Sequence, residues 1–302
     1  MTKTRVLPST DETIIEAARL ILTGEPVAVP TETVYGLAAD ATNPGAVARI
    51  YEAKGRPSFN PLIVHVPDIA AAEAIGEFDH MARSLAARHW PGPLTLVVPL
   101  RPSSRIASIV TAGLPSIGLR VPAHPAIQAL LRATGRPLAA PSANASGSIS
   151  PTRAEHVLKS LEGRIPLIID GGPTERGIES TIVAATGGRL RLLRPGPIEV
   201  NAERVAGAAI EAPGQLAGHY APAKPLRLEA TSAADDEFLI GFGTVTSEVS
   251  LSPSGDLVEA AARLFDLLHL ADASPRARIA VAPIPEEGLG TAINDRLRRA
   301  AA

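Results

Sequence analysis

Short aliphatic runs alternate with helical periodicities along this chain, and that alternation restricts its fold more than any other feature. Ile14, Ala18, Ile21 and Leu22 share one face of a helix that Ser9 to Glu12 opens as a capping box and Gly24 closes. Val27 to Pro30 reads as a short buried strand running into Thr31-Glu32-Thr33-Val34-Tyr35-Gly36, and Asn43 and Pro44 read as the N-cap and first position of a helix reaching about Ala53. Further strands are expected at Leu62 to Val66, Leu94 to Pro99, Ile117 to Val121, Pro137 to Pro141, Leu167 to Asp170, Thr181 to Ala185 and Leu190 to Leu193. Helices are expected around 79–89, 124–134 and 153–161. Such an order implies an α/β or α+β arrangement.

The composition changes near residue 208. Glu211 to Pro225 carries three prolines, two glycines and His219-Tyr220-Ala221-Pro222, which suits an extended linker and no regular element. Beyond it, strands at Leu226 to Glu229, Phe238 to Phe242 and Ile279 to Ala282 alternate with a helix carrying Leu257, Ala261, Leu264 and Leu268 on one face and a terminal helix from about Thr291. The expected division is therefore 1–207, a linker over 208–225, and a small α/β unit over 226–302. A unit of that size is marginal alone and should dock on the first.

Charge follows the same division. The formal net charge of −2 splits into +3 for 1–207 and −5 for 208–302. Residues 80–154 hold eight arginines and no acid where the average composition predicts about eight acids, which points to an anionic ligand. The absence of cysteine removes disulfides, thiol nucleophiles and cysteine-based metal sites. The start, MTKTRVLPSTDETIIE, lacks the apolar core of a signal peptide, and no run approaches ~18 apolar residues, so a soluble cytoplasmic protein without a membrane role is expected. With 3% aromatic residues, a base-stacking platform has little material.

No P-loop, dinucleotide fingerprint, HExxH or GxSxG occurs, and the seven histidines have no metal-ligand spacing. Lys54-Gly55-Arg56-Pro57 reads either as a solvated helix C-terminus or as a rigid turn that holds phosphate through a point charge and a planar fork. Pro141-Ser142-Ala143-Asn144-Ala145-Ser146-Gly147-Ser148 reads as a surface turn or as an anion-binding concavity after a buried strand. Arg120 sits in the apolar Ile117 to Val121 strand with no acid nearby in sequence, so a ligand carboxylate or phosphate is a fair partner. His65 by itself reads as a satisfied core histidine.

Taken in order, these loops resemble the YrdC/Sua5 family. The resemblance rests on Pro30 to Leu37, Lys54-Gly55-Arg56-Pro57, Asn60-Pro61-Leu62, Trp90 to Thr95, Pro141-Ser142-Ala143-Asn144, Asp170-Gly171-Gly172, Glu179 to Ile182 and Leu193 to Gly196. It continues through His219-Tyr220-Ala221-Pro222 and Gly288 to Arg296, which are similar to the linker and tail of the longer Sua5 type.

That resemblance implies a twisted mixed-sheet α/β domain with a concave basic cavity, followed by a small Rossmann-like Sua5 domain. It implies a nucleotidyltransferase that joins L-threonine, bicarbonate or CO2 and ATP into threonylcarbamoyl-AMP with release of pyrophosphate. A separate tRNA threonylcarbamoyl transferase would then use the product for the t6A37 modification of tRNAs reading ANN codons. The resemblance places Lys54 and Arg56 as catalytic groups and, with Asn60, Ser116, Ser142, Asn144, Ser150, Arg194 and Tyr220, on ATP. It places Thr33, His65, Arg120, Ala140 and Ser180 on threonine. Mg2+ would arrive with ATP, held by phosphate oxygens and water rather than by a protein metal site. Tyr220 would fold over the nucleotide as a lid.

Three other readings compete: a non-enzymatic RNA- or ribosome-binding protein using the basic cavity, with weak RNA affinity; a carbamoyl-transfer module of the hydrogenase-maturation type, which the lack of cysteine rejects; and a paralogue with the fold but without the activity.

Overall fold

The computed structural model describes residues 3–57, 59–204, 211–213 and 219–302. The expected boundary at 207/208 and much of the 208–225 linker lie outside the described residues.

The chain opens with strand β1 (Arg5–Pro8) and helix α1 (Asp11–Leu22). Thr10, not Ser9, caps α1: its side-chain oxygen accepts from Thr13 N at 3.3 Å, and Asp11 and Glu12 then fall in the first turn, where acids suit the helix dipole. Strands β2 (Val27–Val29) and β3 (Gly36–Asp40) lead to α2 (Pro44–Lys54). Asn43 caps α2 by accepting from Gly45 N and Ala46 N, and Gly55, at φ 59°, ends it in the left-handed conformation that glycine adopts without strain. There follow β4 (Ile63–His65), α3 (Ile69–Ile75), α4 (His80–His89), β5 (Leu94–Pro99), the single turn α5 (Ser108–Thr111) and β6 (Ser116–Arg120). Then come α6 (Pro125–Thr134), β7 (Leu138–Ala139), α7 (Ala154–Leu161), β8 (Leu167–Asp170), β9 (Thr181–Thr186), β10 (Arg189–Arg194) and β11 (Glu203–Arg204). The expected strand over Pro137 to Pro141 pairs at only two residues, because its flanking prolines donate no ladder bonds.

These eleven strands form one mixed sheet in the order β1-β8-β2-β3-β7-β4-β6-β5-β9-β10-β11. The pleat sorts the side chains. Ala28, Leu37, Val64, Leu96, Leu119 and Val183 face a large core built with α2, α4 and α7. On the other face, α1 and α6 cover Val27, Val29, Ala38, Leu138 and Ile169. Among the described residues, the second face of β4, β5 and β9 has no helix over it; Ile63, Val97, Ile182 and Ala184 meet Leu193 and Ala212. His65, Arg120 and Ser180 share that face by two-residue spacing, so the pleat aims them into a concavity.

The C-terminal unit contains β12 (Leu226–Arg227), β13 (Glu237–Gly241), β14 (Val249–Ser250), α8 (Leu257–Ala273), β15 (Arg278–Val281) and α9 (Leu289–Ala300). Its sheet is all-parallel in the order β12-β15-β13-β14. The strand expected to reach Glu229 stops at Arg227, and Glu229 has a positive φ of 55° that breaks the ladder. This unit shares its core with the rest of the chain: Val34, Ile149, Ile178 and Tyr220 pack in one cluster with Leu264, Phe265 and Ile293. Among the described residues, no helix is long and apolar enough to cross a membrane.

Candidate active site

The concavity closes into a cavity of about 50 Å³. Its floor is the open sheet face, with Ile63, His65 and Arg120. Its walls are Thr31, Thr33, Val34, Gly36, Ala140 to Ser142, Glu179, Ser180 and Arg194, and Pro213, His219 and Tyr220 cover it.

Arg120 is 4% exposed and does have a protein partner, which corrects the sequence reading. Nη2 donates to Glu32 Oε1 at 2.6 Å, Nη1 to Thr33 Oγ1 at 3.0 Å and Nε to Gly92 O at 3.2 Å. Glu32 lies 88 positions away, so nearness in sequence was the wrong measure. Burial opposes ionisation of Glu32, but the Arg120 charge and hydrogen bonds from Arg120 and Ala123 N hold its pKa below the ordinary value. Three of the five guanidinium N–H groups are used, which leaves two for a ligand.

His65 is buried but not satisfied: neither ring nitrogen has a hydrogen-bond partner of normal geometry. Burial and then Arg120 push its pKa down to about 3, so the ring is neutral, with one donor and one acceptor nitrogen. Ala140 lines the cavity beside it and donates its N–H to Ile63 O. Ser180 shares a 2.8 Å hydrogen bond with Thr95 Oγ1 and accepts from Arg194 Nη2 at both its carbonyl (3.0 Å) and its hydroxyl (3.2 Å). Gly196 makes this geometry: a Cβ there would stand 2.4 Å from Thr181 N and 2.8 Å from Glu179 O.

Lys54 is 3% exposed, so it does not end α2 in solvent. Its ammonium donates to Ser142 O, Asn144 O and Asn144 Oδ1, which ties the end of α2 to the 141–148 loop one layer behind the cavity lining. That loop is no free surface turn: Asn144 is buried and its Nδ2 donates to Ser148 O at 2.8 Å. Burial and then Arg56 pull the Lys54 pKa well below the ordinary lysine value. Arg56 lines the cavity and is steadied by Asn60 O (3.2 Å) and Pro61 O (3.0 Å); burial lowers its pKa to about 10. Asn60 Oδ1 is buried beside it without a partner.

Of the expected nucleotide residues, Lys54, Asn60, Ser116, Asn144 and Ser150 stand outside the cavity lining. Ser150 is fully buried and its hydroxyl donates to Glu179 Oε1. Ser116 begins β6, four residues or roughly 13 Å of strand from Arg120, on the same sheet face. Tyr220 covers the cavity at a strained φ of +69°, its ring 5.6 Å from Phe265 and its buried hydroxyl without a hydrogen-bond partner of normal geometry among the described residues. His219 packs edge-on against it at 4.2 Å, and burial lowers its pKa to about 3.

Of the eight arginines between 80 and 154, only Arg120 lines the cavity. Arg83 pairs with Glu73, Arg101 donates to Glu73 O and Gly76 O, and Arg153 pairs with Asp266. Four of the eight, Arg83, Arg120, Arg136 and Arg153, thus meet acids supplied by other segments. Sequence reasoning missed Glu32 and the importance of Glu179. An acid within Pro30 to Leu37 needs a partner by the same logic as Arg120, and that signal was present. Among the described residues, no group of three or more His, Cys, Asp or Glu could hold a metal.

Comparison with known proteins places this arrangement. The Sua5, YciO and YrdC family model, described as "Telomere recombination", matches residues 19–196, and one described as "Threonylcarbamoyl-AMP synthase, C-terminal domain" matches 176–302. A threonylcarbamoyl-AMP synthase of Bacillus subtilis (strain 168) is 42% identical over 98% of this chain and 94% of its own length. The crystal structure of Pyrococcus abyssi Sua5 complexed with L-threonine superposes with a TM-score of 0.89 at 35% identity, covering 100% of this chain and 97% of that one. Escherichia coli YciO, 23% identical, shares the fold over 67% of this chain and 98% of its own, with a TM-score of 0.59. The chain belongs to the Sua5/YciO/YrdC family.

Proposed function

We propose that this chain is a nucleotidyltransferase that forms threonylcarbamoyl-AMP and pyrophosphate from L-threonine, bicarbonate or CO2, and Mg-ATP, in the cavity floored by His65 and Arg120. The observation that carries the reading is three buried arginines, Arg56, Arg120 and Arg194, converging with a neutral, unpartnered histidine in one small cavity. The names of its near full-length relatives support it.

The threonine carboxylate takes the two free N–H groups of Arg120, while Thr33, Ala140 and Ser180 shape the pocket and His65 meets the hydroxyl. The amine attacks the carbon source to form a carbamate, with loss of water from bicarbonate or of an amine proton when CO2 is used. A carbamate oxygen then attacks the α-phosphorus, and the bond to the β-phosphate oxygen breaks. This step brings an anion to a polyanion, so positioning and charge neutralisation supply the catalysis. Arg56 and Arg194 face the phosphates, with Lys54 fixing Ser142 and Asn144 from behind; Asn60 and the more distant Ser116 suit the rest of the nucleotide. Ser150 acts through Glu179. With Glu179 of the wall and Glu32 beside Arg120 already paired, Mg2+ enters on the triphosphate oxygens.

Tyr220, which covers the cavity, would shift to admit ATP and then return to exclude water. The product would pass to a tRNA threonylcarbamoyl transferase for t6A37. The cavity's cations are buried and offer no surface to an extended RNA. The test is ATP-derived pyrophosphate release that requires L-threonine; release without threonine, or none with it, would overturn the reading.

A further inference from the structure

Arg296 in α9 is fully buried, although it belongs to the C-terminal unit. Its Nε donates to Glu179 Oε2 at 2.8 Å, Nη2 to Pro195 O at 3.0 Å and Nη1 to Asp295 Oδ2 at 2.7 Å. Its guanidinium carbon lies 5.3 Å from the centre of the Tyr220 ring, within cation–π range. One side chain from the C-terminal unit therefore touches a wall carboxylate, the backbone next to Arg194 and the residue that covers the cavity.

Structural adhesion alone leaves a charge unexplained. Glu179 lines a cavity that, on the reading above, receives a triphosphate, and an unneutralised carboxylate there would repel it. Burial opposes its ionisation; Arg296 and then Arg194 more than offset this, so Glu179 stays charged. Ser150 and Arg296 take one oxygen each.

We propose that Arg296 is a positioning residue of the nucleotide site, neutralising Glu179 in the cavity wall and holding the Tyr220 ring over it, so that the C-terminal unit completes the ATP pocket. This rests on the function proposed above. It separates the two substrates, because Tyr220 is assigned to the nucleotide while the threonine carboxylate is assigned to Arg120.

The test uses the full-length chain and steady-state formation of threonylcarbamoyl-AMP. Arg296→Met should raise the KM for ATP about 10- to 100-fold, the effect of one uncompensated nearby charge, and leave the KM for threonine within about threefold. Adding Glu179→Gln removes that charge and should restore most of the ATP KM, which lost packing would not. Arg296→Lys, which keeps the charge but not the fork, should fall between and serves if the Met variant does not fold. An ATP KM within about twofold of wild type in Arg296→Met, equal rises in both KM values in the Lys variant, or a folded double variant with no recovery would overturn the proposal. A wild-type chain that forms no threonylcarbamoyl-AMP would instead overturn the function on which it rests.

Discussion

The Arg120–Glu32 pair offers the sharpest stability prediction. Their side chains are 4% and 6% exposed. Arg120→Met leaves Glu32 as a buried carboxylate with only the Ala123 N–H, at 3.1 Å, and orphans the Thr33 and Gly92 acceptors. Removing one partner of such a pair costs about 3–5 kcal/mol. Adding Glu32→Gln removes the uncompensated charge, so the double variant should recover about 2 kcal/mol or more relative to Arg120→Met. The sign of the pH dependence is a second check. With Arg120 present, the Glu32 pKa is below its unfolded value, so the pair's contribution is lost as pH falls through the folded pKa. Without Arg120, burial raises that pKa, the folded state binds the extra proton, and the Met variant should gain stability from Glu32 as pH falls toward 5. Urea unfolding at several pH values measures both effects. Trp90, the single tryptophan, is two residues from the Gly92 carbonyl bonded to Arg120 and reports locally. Stability of Arg120→Met within about 0.5 kcal/mol of wild type, or a coupling near zero, would refute the argument.

Other outcomes follow from the same geometry. His65, His156 and His219 are held at about 3 and His269 at about 4, below the ordinary 6.5, while His156 and His269 stack at 3.8 Å. As pH falls below 6.5 the unfolded chain takes up protons that the folded chain refuses, so each histidine removes up to about 1.4 kcal/mol of stability per pH unit until its folded pKa is reached. Replacing His156 and His269 with Phe should roughly halve this histidine contribution in urea titrations between pH 7 and 5; an unchanged slope contradicts the assignment. ATP binding should raise the Lys54 pKa toward its ordinary value, because the triphosphate offsets the burial and Arg56 repulsion that depress it. Calorimetry in buffers of different ionisation enthalpy over a pH series measures the linked proton uptake, and net release across the series would count against it. Gly196→Ala should cost about 1–3 kcal/mol in denaturant unfolding and displace Glu179 and Ser180, since the new methyl meets backbone atoms; wild-type stability would refute this.

Elements with strong local signals were legible in the sequence. The Asn43-Pro44 start of α2 and the Leu94 to Pro99 and Leu167 to Asp170 strands stand where caps and aliphatic runs put them. Strand β3, Gly-Leu-Ala-Ala-Asp, was not: its small residues have little strand preference, and pairing with β2 and β7 makes it a strand. Helix α3, Ile-Ala-Ala-Ala-Glu-Ala-Ile, was missed, although Asp68 caps it by accepting from Ala71 N. At the site, the residues proposed to meet substrate stand in loops and at strand ends that are readable by their order. Their charge partners do not, because Glu32 reaches Arg120 across 88 positions and Arg296 reaches Glu179 across 117. Such pairings are set by sheet order and by docking of the C-terminal unit, which periodicity does not encode.

The central claim is that one cavity joins threonine, a one-carbon unit and the adenylyl group of ATP. The most direct measurement is to incubate the purified chain with Mg-ATP, L-threonine and carbon-labelled bicarbonate, and to count pyrophosphate against label recovered in an adenylate. Equal amounts of pyrophosphate and labelled threonylcarbamoyl-AMP, both abolished when threonine is omitted, are predicted. Pyrophosphate that forms without threonine, or an adenylate that carries no label, would contradict the account.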